Sequence, residues 1–167
     1  MYNNDLEQNP ANHQPLSPLP FLERAASVFP DHVAIIYGDV RISYAEFYAR
    51  CRRFASVLAG RGIGRGDTVS VMLANTPTML EAHYAVPMCG AVLHSMNTRL
   101  DATNIAFQLD HGESKVLITD TGFSTTIEEA LTLAKVKPWV IDYEDLVVPQ
   151  PGKRLGGEDY DALVDSG

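Results

Sequence analysis

The chain has 167 residues, a net charge of −8 at pH 7 and 46% hydrophobic residues. That size and balance fit one folded domain with a buried core and exclude a disordered segment. Its 13 basic residues form no run longer than Arg52-Arg53 or Lys153-Arg154, which argues against a nucleic-acid partner, and no apolar stretch reaches the ~18 residues needed to span a bilayer.

Residues 1–16 are polar, carry Pro10 and Pro15, and lack the charged and apolar regions of a secretion signal, so they are expected as a flexible lead-in to a cytoplasmic protein. Leu22, Ala25, Ala26 and Phe29 fall at i, i+3, i+4 and i+7 and predict a helix, which Pro30 stops. Segments 33–39 and 40–43 predict a hairpin turning at Gly38-Asp39. Ser43 with Glu46 three residues on is a capping box for the next helix, whose apolar stripe is Phe47, Cys51, Phe54, Ala55 and Leu58. Arg52 and Arg53 fall off that stripe and read as a solvated face.

From residue 68 the pattern alternates. Strands are expected at 68–73, 91–94, 115–120 and 139–142. Between them lie helices at 76–89 (Thr76 as cap, Pro77 first, kinked or ended near Pro87), after Asp101 (Ala102, Ile105, Ala106 and Leu109, ended by His111-Gly112) and through Ile127, Ala130, Leu131 and Ala134. Largely apolar strands separated by helices describe an α/β fold, an open and mostly parallel sheet with helices on both faces, preceded by the short hairpin. The expected organisation is a lead-in over 1–16, an α/β unit over 17–145 and a polar linker over 146–167 with one candidate short helix at 158–164.

The run "GRGIGRG" invites a phosphate-loop reading. A phosphate loop follows a strand and opens a helix, so that backbone N–H groups and the helix dipole face the anion. Here the order is reversed, and the spacing Gly62, Gly64, Gly66 matches neither the dinucleotide fingerprint nor the Lys-bearing loop, so these glycines are expected to stop a helix and turn the chain. His83, His94 and His111 share no metal-ligand spacing, and Cys51 and Cys89 read as buried thiols. Asp120 and Asp142 end strands where open α/β sheets bind ligands, but without a partner motif both read as loop caps.

From about Leu16 to Asp120 the chain resembles the start of the adenylate-forming enzymes, the superfamily of acyl-CoA synthetases, luciferases and peptide-synthetase adenylation domains. The segments that carry the likeness are "SYAEF", "GIGRGDTV", "NTP" at 75–77, "MCGAV" and "MNTRL" followed by a capped helix, all in the family's order. They lean towards bacterial ligases of fatty or related carboxylic acids. The resemblance implies that the complete enzyme uses ATP, Mg²⁺ and coenzyme A to turn a carboxylate into an acyl-adenylate and then a thioester. It also implies that the phosphate loop, ending in Lys-Gly, lies beyond these residues. No such loop occurs in the 167 residues, so the chain alone is expected to be inactive and to bind none of these cofactors tightly. No catalytic or metal residue is assigned. Arg99 of "MNTRL" matches a position that can lie near the nucleotide phosphates of CoA; otherwise it ties Asp101 or a helix terminus at a surface turn. An N-terminal piece of this kind is also expected to expose an apolar face and self-associate through it. Two other readings stay open: a self-sufficient, non-catalytic α/β module, and an adenylation domain that loads a carrier protein.

Overall fold

The computed structural model describes Asn9, His13 and residues 16–167, so most of the expected lead-in lies outside the described residues. The elements are α1 (Leu19–Val28), β1 (Val33–Tyr37), β2 (Val40–Ser43), α2 (Tyr44–Gly60), β3 (Thr68–Met72), α3 (Pro77–Met88) and β4 (Val92–Ser95). They continue as α4 (Ala102–His111), β5 (Ser114–Asp120), a 3-10 turn (Thr121–Phe123), α5 (Ser124–Leu133), β6 (Trp139–Tyr143), β7 (Glu158–Asp159) and α6 (Tyr160–Ser166). Strands β1 and β2 form an antiparallel hairpin, and the other five form a parallel sheet in the order β4-β3-β5-β6-β7.

The local signals act as the residue types require. Ser43 Oγ accepts from Glu46 N at 3.2 Å, and the whole predicted stripe of α2 is buried. Helix α2 then closes with Gly62 N to Ala59 O and Ile63 N to Leu58 O. Gly62 and Gly66 have φ of 77° and 89°, which glycine adopts without a Cβ penalty, and Asp67 accepts from Gly64 N at 2.9 Å. The glycine run is a turn. Helix α3 runs through Pro87 and ends one residue later. In α1 the predicted stripe is only partly used: Leu22 is buried, while Phe29 is exposed and stacks on His32.

Alternation along β3 divides the core between the two faces of the sheet. Val69 and Val71 join Val116, Ile118 and Ile141 under α2, α3 and α6, whereas Met72 joins Leu117 under α4 and α5. The chain leaves β3 towards β4 on one side, then crosses back over β3 to β5 and onward to β6. Right-handed crossovers therefore put α3 on one face and α4 and α5 on the other. The direction reverses between β3 and β5, which makes their carboxyl ends the topological switch point.

The end of the chain departs from expectation. Residues 146–167 do not simply lead away as a linker. Residues 144–157 form a strap over the carboxyl ends of β5 and β6, and the chain then re-enters the fold as β7 and α6. Asp142 accepts from Leu155 N and Gly156 N at 2.9 and 2.8 Å, and Ser124 Oγ accepts from Lys153 N at 3.1 Å. A Cβ on Gly152 would sit 1.8 Å from Thr121 O and one on Gly156 2.2 Å from Val140 O, so the strap lies directly on backbone. Two apolar residues, Tyr160 and Val164, anchor α6 in the core. They are too few to print a periodicity on so polar a stretch.

Candidate functional site

The sheet's carboxyl edge is where an open α/β fold offers a crevice, and the switch point between β3 and β5 marks its centre. On the β5–β6 side the strap fills it. Asp120 caps the 3-10 turn by accepting from Gly122 N at 2.7 Å, and Asp142 holds the strap, so both behave as the loop caps their positions suggested. Asp145 accepts from Val147 N and Val148 N at 2.9 and 3.1 Å and also from the Tyr37 hydroxyl, which ties the hairpin to the strap. That bond, then burial, pushes the Tyr37 phenol up to about 12, because its ionised form would lose the donor and face Asp145's charge. Burial likewise raises the Asp120 carboxyl; the bond from Gly122 opposes this, and the charges of Asp145 and Glu144 add to it.

On the β3 side the edge is open. A cleft of about 540 Å³ runs between the hairpin and the start of α3, lined by Ile36, Tyr37, Asn75, Met79, Leu80 and Tyr84 among others. Its walls are mostly apolar and its volume suits a small molecule or a few packed side chains. Thr76 Oγ1 caps α3 by accepting from Met79 N at 3.3 Å, while Asn75 stands exposed at the rim. The apolar surface continues outward: Ile36 is 67% and Phe21 72% exposed, and Leu80 is exposed as well.

Arg99 lies in the turn after β4, on this same edge. Its backbone N–H is taken by Asn97 Oδ1 at 2.9 Å, its side chain is exposed, and its guanidinium makes no ion pair or hydrogen bond among the described residues. Asp101 is occupied by Asn104 through both its N and Nδ2, each at 2.9 Å, so Arg99 does not tie Asp101.

The remaining reactive residue types are used structurally. His83 Nδ1 lies 2.8 Å from Met79 O within α3, and His111 stacks on Phe107. Cys51 is fully buried, which pushes its thiol pKa up, while Cys89 is half-buried rather than buried. A polar thread that the sequence did not disclose crosses three strands: His94 Nδ1 to Ser70 Oγ at 2.9 Å, and Ser70 Oγ to Ser114 Oγ at 2.6 Å. The register pairs Ser70 with His94, which alone could have suggested it. Ser70 is wholly buried and its hydroxyl stitches β3 to β4 and β5. Among the described residues no group of three or more His, Cys, Asp or Glu could hold a metal, and no helix is long and apolar enough to cross a membrane.

A family model described as "AMP-binding enzyme" matches residues 22–162. The peroxisomal benzoate–CoA ligase of Arabidopsis thaliana is 40% identical over 167 residues, covering 98% of this chain and 29% of that protein. The peroxisomal acetate/butyrate–CoA ligase of the same plant is 47% identical over 133 residues, covering 80% and 23%. Among solved structures, an anthranilate CoA ligase in complex with anthranoyl-AMP superposes with a TM-score of 0.82 at 16% identity, covering 95% of this chain and 30% of that one, a likeness of fold. The O-succinylbenzoate CoA synthetase of Bacillus subtilis with ATP and magnesium gives 0.64 at 28% identity, covering 90% and 34%. The chain thus spans about a quarter to a third of the length of these relatives. Plant enzymes stand among them beside the bacterial group that the sequence leaned towards.

Proposed function

The chain belongs to the AMP-binding enzyme family, and from that membership we propose that it is the first α/β subdomain of an ATP-dependent acid–CoA ligase. The observation that carries this reading is the 40% identity to a CoA ligase over an alignment covering 98% of the chain. In the complete enzyme a carboxylate oxygen attacks the α-phosphorus of ATP, pyrophosphate leaves, and the thiol of CoA then displaces AMP from the acyl-adenylate to give the thioester. ATP and CoA are the cofactors proposed for that enzyme, with a carboxylic or fatty acid as substrate and the cytoplasm as its compartment, although relatives named peroxisomal exist.

The 167 residues supply scaffold, and we assign them no chemical step. They contain no Ser/Thr/Gly-rich loop ending in Lys-Gly. Asp120 and Asp145, the acids nearest the switch point, already accept from backbone amides and Tyr37. These residues therefore do not fit a Mg²⁺–nucleotide site.

Two surfaces are left for the complete enzyme. Arg99, exposed and unpaired on the carboxyl edge, is proposed to meet the nucleotide phosphates of CoA, since a free guanidinium suits phosphate oxygens. The apolar cleft between the hairpin and α3 is proposed to pack against the rest of the enzyme, and in the isolated chain to drive self-association.

The test is acid-dependent ATP–pyrophosphate exchange, measured on the 167 residues alone and on the polypeptide read from the same frame past Gly167. Exchange by the longer polypeptide alone is expected. A frame that continues without a phosphate loop, or that ends at Gly167, would leave the non-catalytic module as the better reading. In the longer enzyme Arg99→Ala is expected to raise the KM for CoA while leaving the exchange rate unchanged. An unchanged KM would remove Arg99 from the CoA surface.

A further inference from the structure

One buried carboxylate, on the helix that also lines the open cleft, joins three helices on one face of the sheet. Glu81 of α3 is 0% exposed. Arg50 of α2 approaches it with Nε on Oε1 at 2.5 Å and Nη2 on Oε2 at 3.2 Å, and the Tyr160 hydroxyl of α6 donates to Oε2 at 3.0 Å. The same Arg50 Nη2 reaches Asp161 Oδ1, also of α6, at 2.5 Å. Burial pushes the Glu81 carboxyl up, and the bonds from Arg50 and Tyr160 oppose that shift.

These contacts fall on the element least able to hold itself. Helix α6 has seven residues, well below the ~12–15 at which a helix persists alone in water. Its only lead-in is β7, two residues paired with β6. Its buried apolar attachments are Val164 and the Tyr160 ring, tilted on Phe54 at 4.6 Å, with Leu163 packed partly buried beside them. Tyr160 therefore joins apolar docking to polar locking in a single side chain. A buried hydroxyl that loses its acceptor costs more than the bond gives when made, so α6 seats well only when Glu81 is in place.

We propose that Arg50, Glu81 and Tyr160 form a polar latch that makes α6 a separately opening element, seated on α2 and α3 by the completed network and released as a unit when it breaks. The strands of the sheet do not depend on the latch. Release frees the end of the fold while β3, β5 and β6 stay paired.

The test is native-state hydrogen exchange on the 167-residue chain and on Tyr160→Phe, which removes the hydroxyl and keeps the ring. Amides of residues 161–166 are expected to exchange about tenfold faster in the variant, the factor that ~1.4 kcal/mol represents, while those of Val116–Ile118 in β5 keep their protection. Asp161→Asn, which removes Arg50's partly exposed second partner, is expected to produce a smaller acceleration confined to the same segment. Two results overturn the latch. One is acceleration below about twofold in 161–166 for Tyr160→Phe; the other is acceleration shared equally by β5, which would mean that α6 opens only when the whole domain does.

Discussion

The two halves of the sheet's carboxyl edge differ in what covers them. Over β5 and β6 the chain's own strap lies against backbone, pinned by Asp142, Ser124 and Asp145 and spaced by Gly152 and Gly156. Over β3 and β4 nothing comparable crosses among the described residues. There the edge presents an apolar cleft, the exposed Asn75 and the unpaired Arg99. The closed half has spent its polar groups on itself, so its acids are unavailable to a ligand. The open half keeps groups that have no use within the chain, and its exposed apolar residues are costly to leave in water at about 25 cal/mol per Å². The uncovered half is the side that the proposed packing against the rest of the enzyme would use.

Substitutions should separate the halves by the size of their effects. Gly152→Ala places a methyl 1.8 Å from Thr121 O, and since backbone cannot move aside, a loss of about 3 kcal/mol is expected by urea denaturation. Gly157→Ala, with nothing within 4 Å, is the control and is expected to be nearly silent. Asp142→Ala leaves two strap amides without their acceptor and is expected to cost about 2 kcal/mol in the same assay. Equal costs for Gly152→Ala and Gly157→Ala would mean that the strap is not seated.

Tyr37 lies on the seam, since its hydroxyl ties the open-side hairpin to Asp145 of the strap. Its phenol is raised from 10.0 to about 12, chiefly by that bond, so folding favours the protonated form. The resulting stabilisation is complete below pH 10 and is lost as pH rises through about 12. Tyr37→Phe is expected to flatten the alkaline fall in urea midpoint between pH 10 and 12, leaving the share due to Tyr143, also raised to about 12. An unchanged alkaline slope would detach the hairpin from the strap. The smallest effect is expected on the open side. Leu80→Ser should change stability by no more than ~0.5 kcal/mol while reducing self-association in sedimentation velocity, because Leu80 is an exposed residue at the wall of the cleft.

What could be foreseen follows the range of the interactions. The helices and the four longer sheet strands were legible because stripes, caps and alternation act over three to eleven residues. Ser43, Thr76 and Asp101 each cap the helix that their position announced. The glycine run was legible for the same reason. Strap, latch and polar thread were not. Arg50 meets Glu81 from 31 residues away and Tyr160 meets it from 79, and no local pattern encodes such pairs. Residues 146–167 read as a linker because a segment held by side-chain acceptors on its backbone amides, as 146–157 is, needs no apolar periodicity of its own. Asp142 was singled out by its place at a strand end, yet what it holds could be known only once the strap was seen. Arg99 was singled out through a resemblance, while the cleft, assembled from a hairpin and a helix some forty residues apart, left no mark in either segment.

The comparison of the two halves is most directly tested by carbene footprinting of side chains, on the 167 residues and on the polypeptide continued past Gly167. In the short chain Ile36 and Leu80 should label heavily and the half-buried Leu155 of the strap weakly. In the longer polypeptide Ile36 and Leu80 should become protected while Leu155 stays as it was. Heavy labelling of Ile36 and Leu80 in both would contradict the account, because the open half of the edge would then face solvent rather than the rest of an enzyme.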